Sequence, residues 1–294
     1  MSIKQWPDNL FDLLINKDGQ AIYSHVQYSA QDCLSGLKEA IQNKEVDREH
    51  QICVESAVQE ELSEAGELRF SLNTIDNRIR REKNNSVPLR NHIRDAVKNG
   101  QVDNHELLIG LLGQKDQDGI DQEVLQAVHC LRVDINQSLR YRIQMTWCWD
   151  EVINQHRQIL IQQAVVLGHG LTEIAILLQS SEAIEKVREI LCSLDLNVPR
   201  ENPDPTLPSG TKDLHKFLTD GIARLDRIHD HVVRIDQQKG TLQRAQCELN
   251  ARFESTASEP KPYSGTLQKD HSAADPARVK QSDGMSSRMF SRRD

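Results

Sequence analysis

From Asp47 onward, apolar side chains recur at Val54, Val58, Leu62, Ala65, Leu68, Leu72, Ile75 and Ile79, with no proline before residue 88. Steps of three and four put these positions on one stripe of an α-helix, because 3.6 residues complete a turn. The run ends at Arg80, Arg81, Glu82, Lys83 and the Asn84-Asn85 stop, with Gly66 as its weak point. A segment of this kind spans roughly 50 Å at 1.5 Å per residue, more than a compact globule of this size needs. The pattern therefore predicts an elongated bundle or a coiled-coil hairpin.

A second long helix is predicted from Val124, Val128, Leu131, Ile135, Leu139 and Ile143, continuing through Trp147, Trp149, Val152, Ile153, Ile159 and Leu160. It runs into residues 159–178, the densest apolar stretch, which is cut by Gly168-His169-Gly170. Two glycines around one residue predict a corner between helices, with His169 at a cap or on the surface. Thr172 then opens a helix over residues 174–178, and Ser180 or Ser181 opens another carrying Ile184, Val187, Ile190 and Leu191. A third long helix starts at Thr211 or Asp213, with Leu218, Leu225, Ile228, Val232, Ile235, Leu242, Leu249 and Phe253 on a heptad-like seam broken at Gly221, Lys239 and Gln246. Such a seam needs a covering surface, in the same chain or in another protein.

Shorter elements fill the remainder. Residues 10–15 form a short amphipathic helix after Pro7-Asp8-Asn9, and a helix opening at Ser29 or Asp32 carries Cys33, Leu34, Leu37 and Ile41 to a stop near Asn43. Pro88 opens a helix that ends at Asn99-Gly100, and Asp103 opens one that ends at Gly113 before a polar loop. Prolines 199, 203, 205 and 208 forbid a continuous helix and mark an extended connector. The expected organisation is an all-α bundle over residues 1–195, a proline-rich connector over 196–210, a long helix over 211–253 and a disordered tail over 254–294.

Composition narrows the function classes. Only 4 % of the 294 residues are aromatic, which favours aliphatic helix interfaces over an aromatic-rich sandwich. A net charge of −8 opposes general binding to nucleic acid, whose affinity comes from basic residues displacing counterions. The six cysteines, at 33, 53, 130, 148, 192 and 247, form no Cys-x-x-Cys pair and are expected to be buried thiols in a reducing cytoplasm. Residues 159–178 contain Gln162, Gln163, His169 and Glu173, so they are expected to form a core hairpin and no membrane span.

Four constellations have chemical potential. His169 between its glycines could act as a base or ligand, but no strand precedes it to make a phosphate loop. Residues 171–192 have the layout of a helix-turn-helix, with a polar turn at Gln179 to Ser181, although Glu182, Glu185 and Glu189 oppose Lys186 and Arg188 on the second helix. Asp226, His229, Asp230 and His231 stand at helical spacings from which a metal site could be drawn, yet a solvated helix face has the same composition. Arg78, Arg80, Arg81 and Lys83 suit the negative end of a helix dipole, and the basic end Arg288, Arg292, Arg293 forms a docking motif with Phe290.

Trp147 and Trp149 cannot share a helix face, so one is expected inside and the other outside as an anchor for a partner. Nucleophile triads, Walker loops, dinucleotide fingerprints and paired zinc histidines are absent from the sequence. The sequence points to a non-catalytic adaptor or structural subunit of a multiprotein cytoplasmic assembly, with no cofactor and no metal. It would join a hetero-complex or homo-oligomer through Trp147, Trp149, the seam residues Leu225, Ile228, Val232, Ile235, Leu242 and Leu249, and the tail residues Phe290, Arg292 and Arg293. The alternatives are a helix-turn-helix DNA-binding regulator using residues 171–192, an accessory or exported component of a bacterial secretion machine, and a helical enzyme using His169 or the region of His229.

Overall fold

The structure is a computed structural model that describes residues 12–98, 122–196 and 211–257. The described part is 93 % helical without strands, an all-α elongated bundle. After a helical turn at residues 12–16 come α1 (Gly19–Gln42), α2 (Arg48–Asn85), α3 (Val87–Lys98), α4 (Gln122–Leu177), α5 (Ser181–Ser193) and α6 (Thr211–Ala257). The expected helix at 103–113, the loop after it, the connector prolines and the tail beyond residue 257, with Phe290, Arg292 and Arg293, lie outside the described residues.

Helix α4 is the axis of the bundle, and α1, α2, α3, α5 and α6 all pack on it. Its 56 residues extend for roughly 84 Å at 1.5 Å per residue. The largest core cluster joins Leu14, Val26 and Leu72 to Trp149 and Leu171 of α4, to Leu191 of α5 and to the α6 seam. A second, formed by α1, α2 and α4, includes Cys33, Leu37, Val58 and Ile159, and a third sets Leu89 of α3 on Val124, Val128 and Leu131. The seam of α6 is thus covered within the chain: Leu225, Leu242 and Leu249 are fully buried, and Ile228, Val232 and Ile235 nearly so.

Capping fixes where these helices begin. Asp47 accepts from the His50 amide at 2.7 Å, and Ser180 accepts from Ala183, the expected starts of α2 and α5. The start expected at Ser29 or Asp32 is corrected: α1 begins at Gly19, where Asp18 accepts from the Ala21 amide at 2.8 Å. Ile22 and Val26 belong to the same buried stripe as Ala30, Cys33 and Leu37. The cysteine expectation is corrected as well, since only Cys33 and Cys148 are buried while the other four free thiols lie on solvent-facing sides of their helices.

The expected corner at residues 168–170 is also corrected. Helix α4 passes straight through it, and Thr172, instead of capping a new helix, donates its hydroxyl to the Gly168 carbonyl at 2.8 Å. The chain turns ten residues later, with Gln179 at a φ of 52° between α4 and α5. Gly168 is there for space: a Cβ would fall 2.7 Å from Leu191, because α5 folds back on the end of α4. Gly221 in α6 has the same role, with a Cβ position only 2.3 Å from Leu171. The apparent seam defect is a close approach of two helices. Gly170 faces open space.

Helix α4 contains an 18-residue window of mean hydropathy 1.5, which by length and composition alone suffices to cross a membrane. A helix at the centre of a bundle meets the same criterion, and here 39 % of the window is buried within the bundle.

Polar groups are buried along the other half of α4. Asp134, Ser138 and Arg142 occupy successive turns, and the Arg142 guanidinium donates to Asp76 of α2 at 2.7 Å and to the carbonyls of Leu14 and Lys17 at 2.9 and 2.7 Å. Ser138 donates to the other Asp76 oxygen at 2.7 Å, and Arg78 of α2 pairs with Asp134. One arginine therefore ties the N-terminal turn to the α2/α4 interface.

Two stability predictions follow from these contacts. Arg142→Ala is expected to lower the unfolding free energy by about 3–5 kcal/mol, because it leaves Asp76 without its counter-ion and two carbonyls without their donor. The double variant Arg142→Met, Asp76→Leu should recover much of that loss in denaturant titrations. Gly168→Ala should destabilise by about 1–3 kcal/mol through overpacking on Leu191, whereas Gly170→Ala should stabilise by about 0.5–1 kcal/mol. Equal losses for the two glycine variants in thermal melts would restore the turn reading.

Candidate functional site

Five helices pack on α4, and among the described residues one ridge of it is left uncovered. Val133, Arg140, Gln144, Trp147, Glu151 and Gln158 follow one another in steps of seven, four, three, four and seven, and each is exposed or half-buried. Val133 is 52 % exposed and Trp147 55 %. Farther along, Val165 and His169 keep to the same side at partial exposure, so His169 lies mid-helix on the open ridge and caps nothing.

The two tryptophans divide as their spacing requires. Trp149 is 1 % exposed, donates its indole N–H to Ser29 Oγ at 3.0 Å and stacks on His25 at a centroid distance of 6.0 Å. It is a core residue. The seam residues Leu225, Ile228, Val232, Ile235, Leu242 and Leu249 likewise face the chain's own interior. Of the described residues expected to meet a partner, Trp147 is the one presented to solvent.

The histidine and aspartate run of α6 is dispersed. Asp226 pairs with Lys186 of α5 at 3.5 Å, and His229 lies 3.7 Å from Asp230. His231 instead faces a cavity of about 240 Å³ among α1, α4 and α6, shared with Asp32, Gly36, His156 and Arg224. His156 Nδ1 is 3.9 Å from Asp32, and glycine at 36 leaves room for its ring, since a Cβ there would stand 3.3 Å from Nε2. Burial holds the His156 imidazole below the ordinary histidine value; His231 adds to this, and Asp32 opposes it. At the cavity's edge Arg224 binds the buried Glu45 carboxylate at 2.8 Å and tethers α6 to the chain between α1 and α2.

Among the described residues one set of potential ligands has metal-binding spacing: the donor atoms of Glu61, Glu64 and Cys148 lie within 4.8 Å of one another. Burial, reinforced by both carboxylates, pushes the Cys148 thiol well up, and burial also raises Glu61, which bonds to it. Cys148 and Glu61 are therefore biased toward their protonated forms, opposite to what a thiolate ligand needs.

Helix α5 presents Glu182, Glu185 and Glu189 to solvent, while Arg188 is held by Glu185 at 2.5 Å and Lys186 by Asp226. The helix before it is the end of α4, not a separate short helix. In the basic run of α2, Arg78 crosses to Asp134, whereas Arg80 and Lys83 line a cleft.

Arg142, Asp76 and His156 were missed in sequence. The first two had a legible signal: Asp134, Ser138 and Arg142 repeat every fourth residue inside an otherwise apolar helix, a polar stripe that demands buried partners. His156 had none, because its partners come from residues 32 and 231.

The pH dependence of stability has a definite sign at His156. Below about pH 6.5 the unfolded chain takes up a proton that the folded imidazole resists, so stability present above that pH is lost on acidification, by at most about 1.4 kcal/mol per pH unit. His25, lowered by burial, acts in the same direction. Thermal melts should show a smaller loss between pH 7 and pH 5 for His156→Gln than for the natural chain; equal losses would remove His156 from the account.

No protein-family model matches the chain, and no curated protein or solved structure matches it.

Proposed function

We propose that the chain is a non-catalytic adaptor or structural subunit of a cytoplasmic multiprotein assembly, and that it holds a partner protein on the open ridge of α4. The observation that carries this reading is Trp147, 55 % exposed at the middle of the longest helix. Large aromatic residues dominate binding hot spots, because they bury much apolar area at small conformational cost. Val133 adds an apolar position on the same side about four turns of helix earlier, and Arg140, Gln144 and Glu151 surround Trp147 with the polar rim such interfaces have. The α6 seam is already covered within the chain, so a partner is received by the ridge that the bundle leaves open.

The test compares the two tryptophans in the full chain. Trp147→Ala is expected to reduce capture of a specific partner in quantitative pull-downs by about tenfold or more, as for a hot-spot residue, with little change in the unfolding midpoint. Trp149→Ala should instead cost about 3–5 kcal/mol of stability. Undiminished capture by Trp147→Ala, with the same proteins retained, would end this reading.

A further inference from the structure

Between α2, α4 and α6, bounded on one side by the N-terminal turn, lies a cleft of about 350 Å³. That volume falls in the ~300–1,000 Å³ range of small-ligand pockets. Its apolar lining comes from Ile15, Ile79, Ile135 and Leu139. Its charged lining is strongly cationic: Lys17, Arg80, Lys83, Arg142 and Arg252 face only Asp18 and Asp76. A positive excess of this kind runs against a chain of net charge −8.

Most of these groups are occupied. Arg142 is held by Asp76 and two carbonyls, Arg252 donates to Glu248 at 2.7 Å, Lys17 lies 3.8 Å from Asp12, and Asp18 caps α1. Arg80 and Lys83 have no ion-pair partner among the described residues. They sit three apart on α2, on one side of the helix. Lys83 is half-buried, and burial pulls its ammonium below the ordinary lysine value with no carboxylate to hold it up. A desolvated cation without a counter-ion is costly, and a bound anion offsets that cost.

We propose that this cleft binds a phosphate monoester bearing an apolar substituent, with the phosphate on Lys83 and Arg80 and the substituent over Ile79, Ile135 and Leu139. Lys83 and Arg80, without an ion-pair partner among the described residues, match the charge of about −1.5 to −2 that a phosphate monoester carries at pH 7. The guanidinium of Arg80 supplies a planar fork for two oxygens and Lys83 a point charge, both from the α2 side of the cleft.

Calorimetric titration of the full chain with hexyl phosphate tests the proposal. One site is expected, about tenfold stronger than that for inorganic phosphate, and no binding of hexyl glucoside, which has a neutral head. Lys83→Gln and Arg80→Gln should each weaken hexyl phosphate about tenfold, while Arg81→Gln, outside the cleft on the same helix, should leave it within about twofold. The proposal is overturned by an absence of saturable binding up to about 1 mM, by equal affinity for inorganic phosphate, or by an unchanged Lys83→Gln variant. Vesicles of phosphatidic acid in phosphatidylcholine present the same head with its chains held in a bilayer. They should not retain the protein, and retention lost in Lys83→Gln would replace the soluble ester with a membrane surface.

Discussion

The bundle is constrained above all by the need to cover α4. A helix of 56 residues with buried positions on most of its circumference is not stable as an isolated object in water, and neither are the amphipathic helices that wrap it. Each gains its stability from the other's apolar stripe. This explains why α6 and α2, although long enough to form coiled coils with other chains, lie along α4 instead. It also explains why glycines stand where helices approach most closely. At Gly168 and Gly221 a methyl group would meet a leucine of the neighbouring helix, so the helix-propensity penalty of about 1 kcal/mol per glycine is outweighed by the packing it permits.

Apolar stripes alone leave axial register weakly determined, because one turn of leucines resembles the next. The polar stripe of α4 removes that freedom. A slip of one helical turn, about 5.4 Å, between α2 and α4 would part Arg142 from Asp76 and Arg78 from Asp134 together, leaving charges stranded in a partly dry interface. Arg142 extends the specification to the N-terminal turn through the carbonyls of Leu14 and Lys17. At the other end of α1, the pair of Arg224 with buried Glu45 does the same for α6. Buried pairs of this kind contribute modest net stability, and their effect is to penalise every arrangement but one.

Periodicity made the long helices legible, and Asp47 and Ser180 made two helix starts legible, because both signals are local. The misreadings share a different physical origin. Gly168, Gly170 and Gly221 read as a corner and a seam defect in sequence, which does not distinguish a glycine that bends the chain from one that makes room for a neighbour. In sequence Ser29 or Asp32 stands as the start of α1, because Gly19, Gln20 and Ala21 separate the true cap, Asp18, from Ile22. His156, Asp32 and His231 meet only through the packing of three helices, and nothing near residue 156 announces it. The tryptophans were resolved correctly in kind, since a spacing of two forces opposite faces, but which one is inside depends on where α1 lies.

The most periodic surface of a chain is therefore a poor guide to where it meets others. Strong periodicity in α6 reflects coverage by α4, and a stripe already covered has no apolar area left to bury in an interface. What remains for association is the residual surface, and there composition is informative because nothing in the fold demands it. Along the open ridge of α4, polar residues such as Arg140, Gln144 and Gln158 satisfy helix formation and solvation equally well. A tryptophan at 147 satisfies neither better than glutamine would, and it leaves a large apolar ring in water. The bundle gains nothing from that exposure, and this is the physical ground for proposing that a partner surface covers the ring.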